Sequence, residues 1–313
     1  MALTWIPWDV AMEAGAVVGT AGIAGRRVPH KWVAGVAKFA RELAIVLMLY
    51  ALWRIVGTIS VVRVDGAVHA GQWIWDVERW MHLPNERALQ QLFLKNDVLI
   101  QACNAFYASV HLPSMMIFLV WLYVWKRDHY PRTRNVVALT TLFCLAIQLI
   151  PVAPPRLVPG LHVQDTPALF GQTVYPSFGK NGPAQLSAMP SVHVAWAVII
   201  GLAFVLFCTT KWRYLALAHP IVTMTVVVVT GNHYWLDGIV GIAVIGIAIL
   251  VERVGRDAIT RWKSTRRPAA AVDLSSRESP SSVPCSTSVP LPVHESRDQP
   301  SPVGTRPGGS DRS

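Results

Sequence analysis

The sequence predicts an all-α integral membrane protein, a bundle of six transmembrane helices with a polar site at its outer face. Three observations predict it. Of the 313 residues 52% are hydrophobic and only 15% are charged. With a mean hydropathy of +0.38, the chain is too apolar for a soluble domain of this size. Six apolar stretches, near residues 43–62, 105–125, 135–152, 191–209, 215–232 and 236–252, are long enough to cross a membrane. A hydrocarbon core is about 30 Å thick and a helix rises about 1.5 Å per residue. Lastly, the basic residues gather in alternate connections.

Taken in order, residues 1–42 form an N-terminal segment. Its start, "MALTWIPWDVAMEAGAVVGTAGIAGRR", lacks an early basic residue and a strong apolar core, so it does not read as a signal peptide. Arg26, Arg27, Lys31, Lys38 and Arg41 precede the first span, and Lys126, Arg127, Arg132 and Arg134 join the second to the third. Lys211 and Arg213 join the fourth to the fifth, and Arg253, Arg256, Arg261, Lys263, Arg266 and Arg267 follow the sixth. The connection 63–104 balances its bases with acids, and 153–190 holds only Arg156 and Lys180. By the positive-inside rule both termini are cytoplasmic. The net charge of +10 is therefore an orientation signal, and a nucleic-acid partner is not expected.

Within 63–104, Trp73, Val77, Trp80 and Met81 share one helical face, with Asp76, Glu78 and Arg79 elsewhere. That pattern suits a helix lying in the membrane interface. The membrane domain runs over 43–256, and 257–313 is rich in Pro, Ser and Arg. Such a tail cannot bury a core and is expected to be disordered in the cytoplasm. Cys103, Cys144, Cys208 and Cys285 show no CxxC or zinc spacing, so neither a disulfide framework nor a metal site is expected, and no cofactor.

Polar residues inside such a chain are rare and usually face a cavity or a partner. Three clusters stand out: "PVAPPRLVPG" (151–160), "SAMPSVHVAW" (187–196) and "TGNHYWLDG" (230–238). The predicted topology puts all three at the outer face. Forty residues separate His193 from His233, enough for one span to descend, a short turn, and the next to return. His233 and Asp237 are one helical turn apart, so the carboxylate can reach a ring nitrogen and set its tautomer. Pro190 suits a first helical position, and Ser191 adds a hydroxyl to the anion-binding end of span four. Arg156 supplies a permanent charge and a planar fork for phosphate oxygens. Together these are what phosphoryl transfer through a phosphohistidine requires, with charge neutralised by protein groups and no metal.

At these residues the sequence resembles the type 2 phosphatidic acid phosphatase superfamily, over about 135–252. That family carries a Lys–x6–Arg–Pro stretch, a Pro–Ser–Gly–His stretch and a Ser–Arg–x5–His–x3–Asp stretch on six transmembrane helices. Pro190, Ser191, Val192 and His193 match the second, and His233 with Asp237 matches the third. Arg156 fits the first, but Leu149 stands at its lysine and Leu157 at its proline, while Val227 stands at the arginine of the third. These departures, with "PVAPPR" and "GNHYWLDG", resemble the branch that includes inositol phosphorylceramide synthase. The resemblance implies that His233 is the nucleophile, Asp237 its orienting partner and His193 the general acid, with Arg156 and Ser191 binding phosphate. Asn104, Tyr107 and His111 share a helical stripe and could replace the missing donors or contact a headgroup, with His111 the favoured candidate; Gln148 is placed similarly. Buried hydrogen bonding between helices is the alternative role for all four.

The expected activity is thus a membrane lipid phosphatase or phosphotransferase acting on a lipid phosphate, a lipid pyrophosphate or a phospholipid headgroup. Phosphatase and transferase differ only in whether water or an alcohol takes the group from His233. A transporter would spread ionisable groups through several spans at mid-depth, whereas here they gather at one end; a membrane scaffold is the other non-enzymatic reading. Localisation to a cell membrane, of a bacterial inner-membrane kind, is expected.

Overall fold

A computed structural model describes residues 7–28, 30–59, 64–172 and 186–265. The described residues are all-helical, with no strand. The helices are α1 (Trp8–Ala24), α2 (Lys31–Ile59), α3 (Val64–Trp80), α4 (Glu86–Phe93), α5 (Asp97–Ser109) and α6 (His111–Trp125). They continue with α7 (Tyr130–Ile147), the single turn α8 (Thr166–Leu169), α9 (Val192–Phe207), α10 (Ala218–Val229) and α11 (Trp235–Thr265). Among the described residues two helical stretches, Lys211–Val229 and Trp235–Thr265, are long and apolar enough to cross a membrane. A third is added if α5 and α6, bent by 52° at their junction, count as one span. The tail from 266 onward lies outside the described residues.

Residues 8–24, part of the N-terminal segment in the sequence reading, form a helix that folds back on α2. Glycines set how close the two come. A Cβ on Gly22 would lie 2.8 Å from Arg41 Cγ and 2.9 Å from the Ala37 carbonyl, and one on Gly15 3.2 Å from Met48 Sδ. Small residues at such a seam let backbones approach, which is how helices associate where the hydrophobic effect supplies little drive. Glu42 ties α2 to α7, accepting from Tyr130 Oη at 3.0 Å and from Arg134 Nη1 at 2.7 Å.

At the centre lies α9, whose Val194, Ala195, Ala197, Ile199, Ile200, Gly201 and Ala203 are all buried. It packs on α6 and α7 through Met115, Phe118, Leu122, Val137 and Ile199. On its other side it meets α5 and α10 through Ile100, Tyr107, Val194, Val226 and Val227. A 3-10 turn, Lys211–Leu217, joins α9 to α10, so the chain returns and the N-terminus of α9 lies beside the C-terminus of α10. Gly241 lets α11 cross that level, because a Cβ there would sit 2.9 Å from the Ser191 carbonyl. A third apolar cluster, including Ala67, Ile74, Val152, Ala153, Val158 and Tyr234, packs α3 over the connections at this end.

The amphipathic reading of α3 needs one correction. Trp73, Trp80 and Met81 are exposed as expected, but Glu78 is fully buried, on a face with Ala67, Gly71 and Ile74. A helix in an apolar medium turns its aromatic face outward and can aim a carboxyl inward, so polarity alone does not tell which face is inside.

Candidate active site

The site is built where α10 ends and α11 begins. Gly231 adopts φ +71° and donates to the Val228 carbonyl, while the N–H of Asn232 reaches the Val227 carbonyl. These two bonds and the left-handed glycine form a Schellman termination, which turns the chain so that His233 follows at once. α11 opens with one half of a capping box: Asp237 Oδ2, in its first turn, accepts from the Tyr234 N–H at 2.9 Å. Asp237 is thereby fixed on the turn that also holds His233.

Two loop segments close over this corner. The N–H of Val152 donates to the Leu186 carbonyl at 2.7 Å and that of Ala188 to the Val152 carbonyl at 3.2 Å, a single parallel bridge. The pairing aims the Ala188 carbonyl at His233, whose Nδ1 lies 2.7 Å away. The N–H of Ser191 then donates to the Asp237 carbonyl at 3.0 Å, and Ser191 Oγ caps α9 by accepting from the Val194 N–H.

This geometry fixes a tautomer. A backbone carbonyl can only accept, so His233 Nδ1 carries the proton, shared with Asp237 Oδ2 at 3.2 Å. Nε2 is then the nitrogen with the free lone pair, and it faces His193 Nδ1 at 3.3 Å. Burial pushes the His233 imidazole down to about 4; the Ala188 carbonyl opposes that shift and the nearby Arg156 guanidinium adds to it. His233 is thus a neutral base at ordinary pH.

Arg156 sits in a 3-10 turn, Pro155–Leu157, with its N–H on the Gly231 carbonyl. Its buried guanidinium lies 3.3 Å from Asp165 Oδ2. His111 begins α6 just past the bend with α5, and its ring centroid is 4.6 Å from that of His193. The ring of Tyr107 lies 5.0 Å from His193 and 6.5 Å from His233. His111 is 5% exposed, and its Nε2 has no hydrogen-bond partner among the described residues.

All six sequence-designated residues therefore lie in this corner of the fold: His193, His233 and Asp237 touch, Arg156 and His111 border them, and Ser191 caps the helix that presents His193. Others of the sequence reading serve the packing. Gln148 Nε2 donates to the Pro190 carbonyl, and Asn104 bonds Thr166 Oγ1 and Gln172. Tyr234 is wholly buried, with its hydroxyl on the Ala153 carbonyl at 3.0 Å. Leu149 and Val227, at the positions of the missing bases, are respectively exposed and packed in the α5–α10 seam. The described cysteines are free; Cys285 lies outside the described residues. No residue pattern marks the Ala188 carbonyl, a main-chain atom whose role depends on loop pairing.

No curated protein and no solved structure matches the chain. A family model, described as the PAP2 superfamily, matches residues 72–251, more than half of the sequence and the whole of the corner just described. The chain belongs to the PAP2 superfamily.

Proposed function

We propose that the protein is a membrane-embedded lipid phosphatase or phosphotransferase working through a phosphohistidine on His233. Membership in the superfamily suggests phosphatase or phosphotransferase activity on phosphate esters. The observation that carries the finer reading is the bond from His233 Nδ1 to the Ala188 carbonyl, which leaves Nε2 unprotonated.

In the proposed cycle Nε2 attacks phosphorus, the bond from phosphorus to the leaving oxygen breaks, and a protonated His193 gives that oxygen its proton. Neutral His193 then takes a proton from water or an alcohol, whose oxygen attacks phosphorus and breaks the N–P bond. Asp237 stabilises the charge on the substituted imidazole. Arg156, the first turn of α9 capped by Ser191, and His111 hold the phosphate and headgroup. The protein supplies this neutralisation, so turnover is expected to survive EDTA. Loss with chelator and recovery on adding a divalent ion would count against it.

Six membrane spans, with the site extracytoplasmic and both termini cytoplasmic in a bacterial-type cell membrane, complete the proposal. The charge alternation and the apolar helices support it. A membrane-impermeant thiol reagent is expected to label Pro159→Cys and to miss Trp212→Cys in intact cells; the reverse pattern would overturn the orientation. Both positions are exposed, and Pro159 avoids the positive φ of Gly160.

The loss of the family's Lys and second Arg, with the "PVAPPR" and "GNHYWLDG" segments, favours the inositol phosphorylceramide synthase-like branch and hence transfer of a headgroup. The deciding experiment offers the purified protein labelled lipid phosphates, pyrophosphates and inositol phospholipids, with and without inositol or other alcohols, and identifies products by mass. Phosphorylated acceptor would support transfer; inorganic phosphate from a lipid phosphate or pyrophosphate, or inositol phosphate from an inositol phospholipid, with no acceptor product, would support hydrolysis. No product from any donor would sink the enzyme reading.

A further inference from the structure

We propose that Glu78 is a positioning residue of this site: a neutral carboxyl on α3 that fixes the first turn of α11, and through it Asp237 and His233. The proposal rests on the function proposed above.

Geometry supports it from both ends. Glu78 Oε1 accepts from the N–H of Leu236 at 2.7 Å, a bond at the second residue of α11, where backbone donors have no partner within the helix. A second donor at this end, the Tyr234 N–H, is held by Asp237 itself. Helix α11 thus begins on two carboxyls, one its own and one delivered from α3. Around Glu78 the chain is tied tightly. Arg79 Nη2 donates to Glu86 Oε2 and to the Pro84 carbonyl, each at 3.0 Å, and Trp235 Nε1 donates to the same carbonyl. The α3–α4 connection is in this way bonded to the turn that carries the catalytic pair.

The charge state follows from what surrounds the group. Glu78 and Glu86 are both fully buried, and Glu78 Oε2 and Glu86 Oε1 are the oxygens left without a donor. Arg79 is the cation at hand: its Nη2 bonds Glu86 Oε2 at 3.0 Å and lies farther, 4.0 Å, from Glu78 Oε2; Asp237 adds a third carboxyl from α11. A proton held by Glu78 toward Glu86 satisfies both oxygens and leaves Arg79 and Glu86 as a balanced pair. Burial first, then the hydrogen bond to Glu86 and its charge, push the Glu78 acid up to about 9, with the Leu236 N–H pulling the other way.

A neutral carboxyl has an isostere, which makes the role testable. Glutamine keeps the acceptor for Leu236 and a donor for Glu86, whereas alanine keeps neither. In the purified full chain, Glu78→Gln is expected to retain kcat within about threefold, and Glu78→Ala to lose about 10²-fold in kcat with little change in KM, the cost of a slightly misplaced reacting group. Melting temperatures supply a readout independent of turnover. An acid raised in the fold must take up a proton on folding, so the parent loses stability relative to Glu78→Gln as pH rises from about 4.5 to about 9. The gap between the two proteins should widen over that range. Equal damage by glutamine and alanine, a normal kcat in Glu78→Ala, or a gap flat with pH would each overturn the proposal. Should Glu78→Ala not fold, kcat and the melt gap of Glu78→Gln decide. Turnover surviving in His233→Ala would overturn the function reading and the positioning role with it, while the melt gap still judges the neutral carboxyl.

Discussion

His233→Ala is expected to lower kcat/KM for a lipid phosphate by about 10⁴-fold or more, because removing a covalent nucleophile leaves only binding and charge stabilisation. The accompanying signature is chemical. A labelled phosphoryl group trapped on the parent during turnover should be acid-labile and absent from the variant; label retained by His233→Ala would sink the mechanism. Asp237→Asn should cost less, about 10²-fold, because the Ala188 carbonyl at 2.7 Å holds the Nδ1 proton even when the carboxylate is gone. The acid side of the pH profile follows from the same nitrogen. With the imidazole held down to about 4, Nε2 gains a proton and activity falls only as pH drops through that region, below where an ordinary histidine would titrate.

What the residues disclosed in advance was the part governed by spacing. Two apolar stretches of matched length between His193 and His233 had to return to one level, and the facing ring nitrogens are 3.3 Å apart. A four-residue step put Asp237 on His233, and Pro190–Ser191 marked a helix start that Ser191 caps. Hidden instead were relations set by packing between distant segments. The Ala188 carbonyl reaches His233 because residues 152 and 187 pair across a bridge, and no side-chain pattern records a main-chain acceptor. Glu78 was assigned to the polar face because amphipathicity gives a direction in water, and α3 presents its aromatic face outward. Tyr234 is another such relation: its hydroxyl is held by a main-chain carbonyl, that of Ala153. The helix Trp8–Ala24 is hidden in the sequence because Gly15, Gly19 and Gly22, which serve its seam with α2, are poor helix formers by themselves.

Gly71→Ala is expected to cost about 1–3 kcal/mol, the range for overpacking a tight contact, and Gly71→Val more. A Cβ on Gly71 would fall 2.6 Å from the Ala153 carbonyl oxygen, 2.8 Å from Tyr234 Oη and 2.8 Å from Val158 Cγ2. Two of these atoms are locked to each other: the Ala153 carbonyl accepts from Tyr234 Oη at 3.0 Å. The N–H of Ala153 is in turn held by the Ala67 carbonyl of α3, so no atom can yield alone. Relief requires α3 to lift from the loop, which strains the Glu78 bond to α11, or the 152–156 segment to shift, which moves Arg156 and the Val152–Ser187 bridge. Either displacement reaches His233, so activity should fall along with the melting temperature. Gly66→Ala is the matched control. It lies on the same helix with nothing within 4 Å of the added carbon, and replacing a helical glycine there should be neutral or stabilising by about 0.5–1 kcal/mol. Thermal melts and turnover on the two variants separate close approach from helix propensity: equal behaviour would mean that α3 does not press on the site.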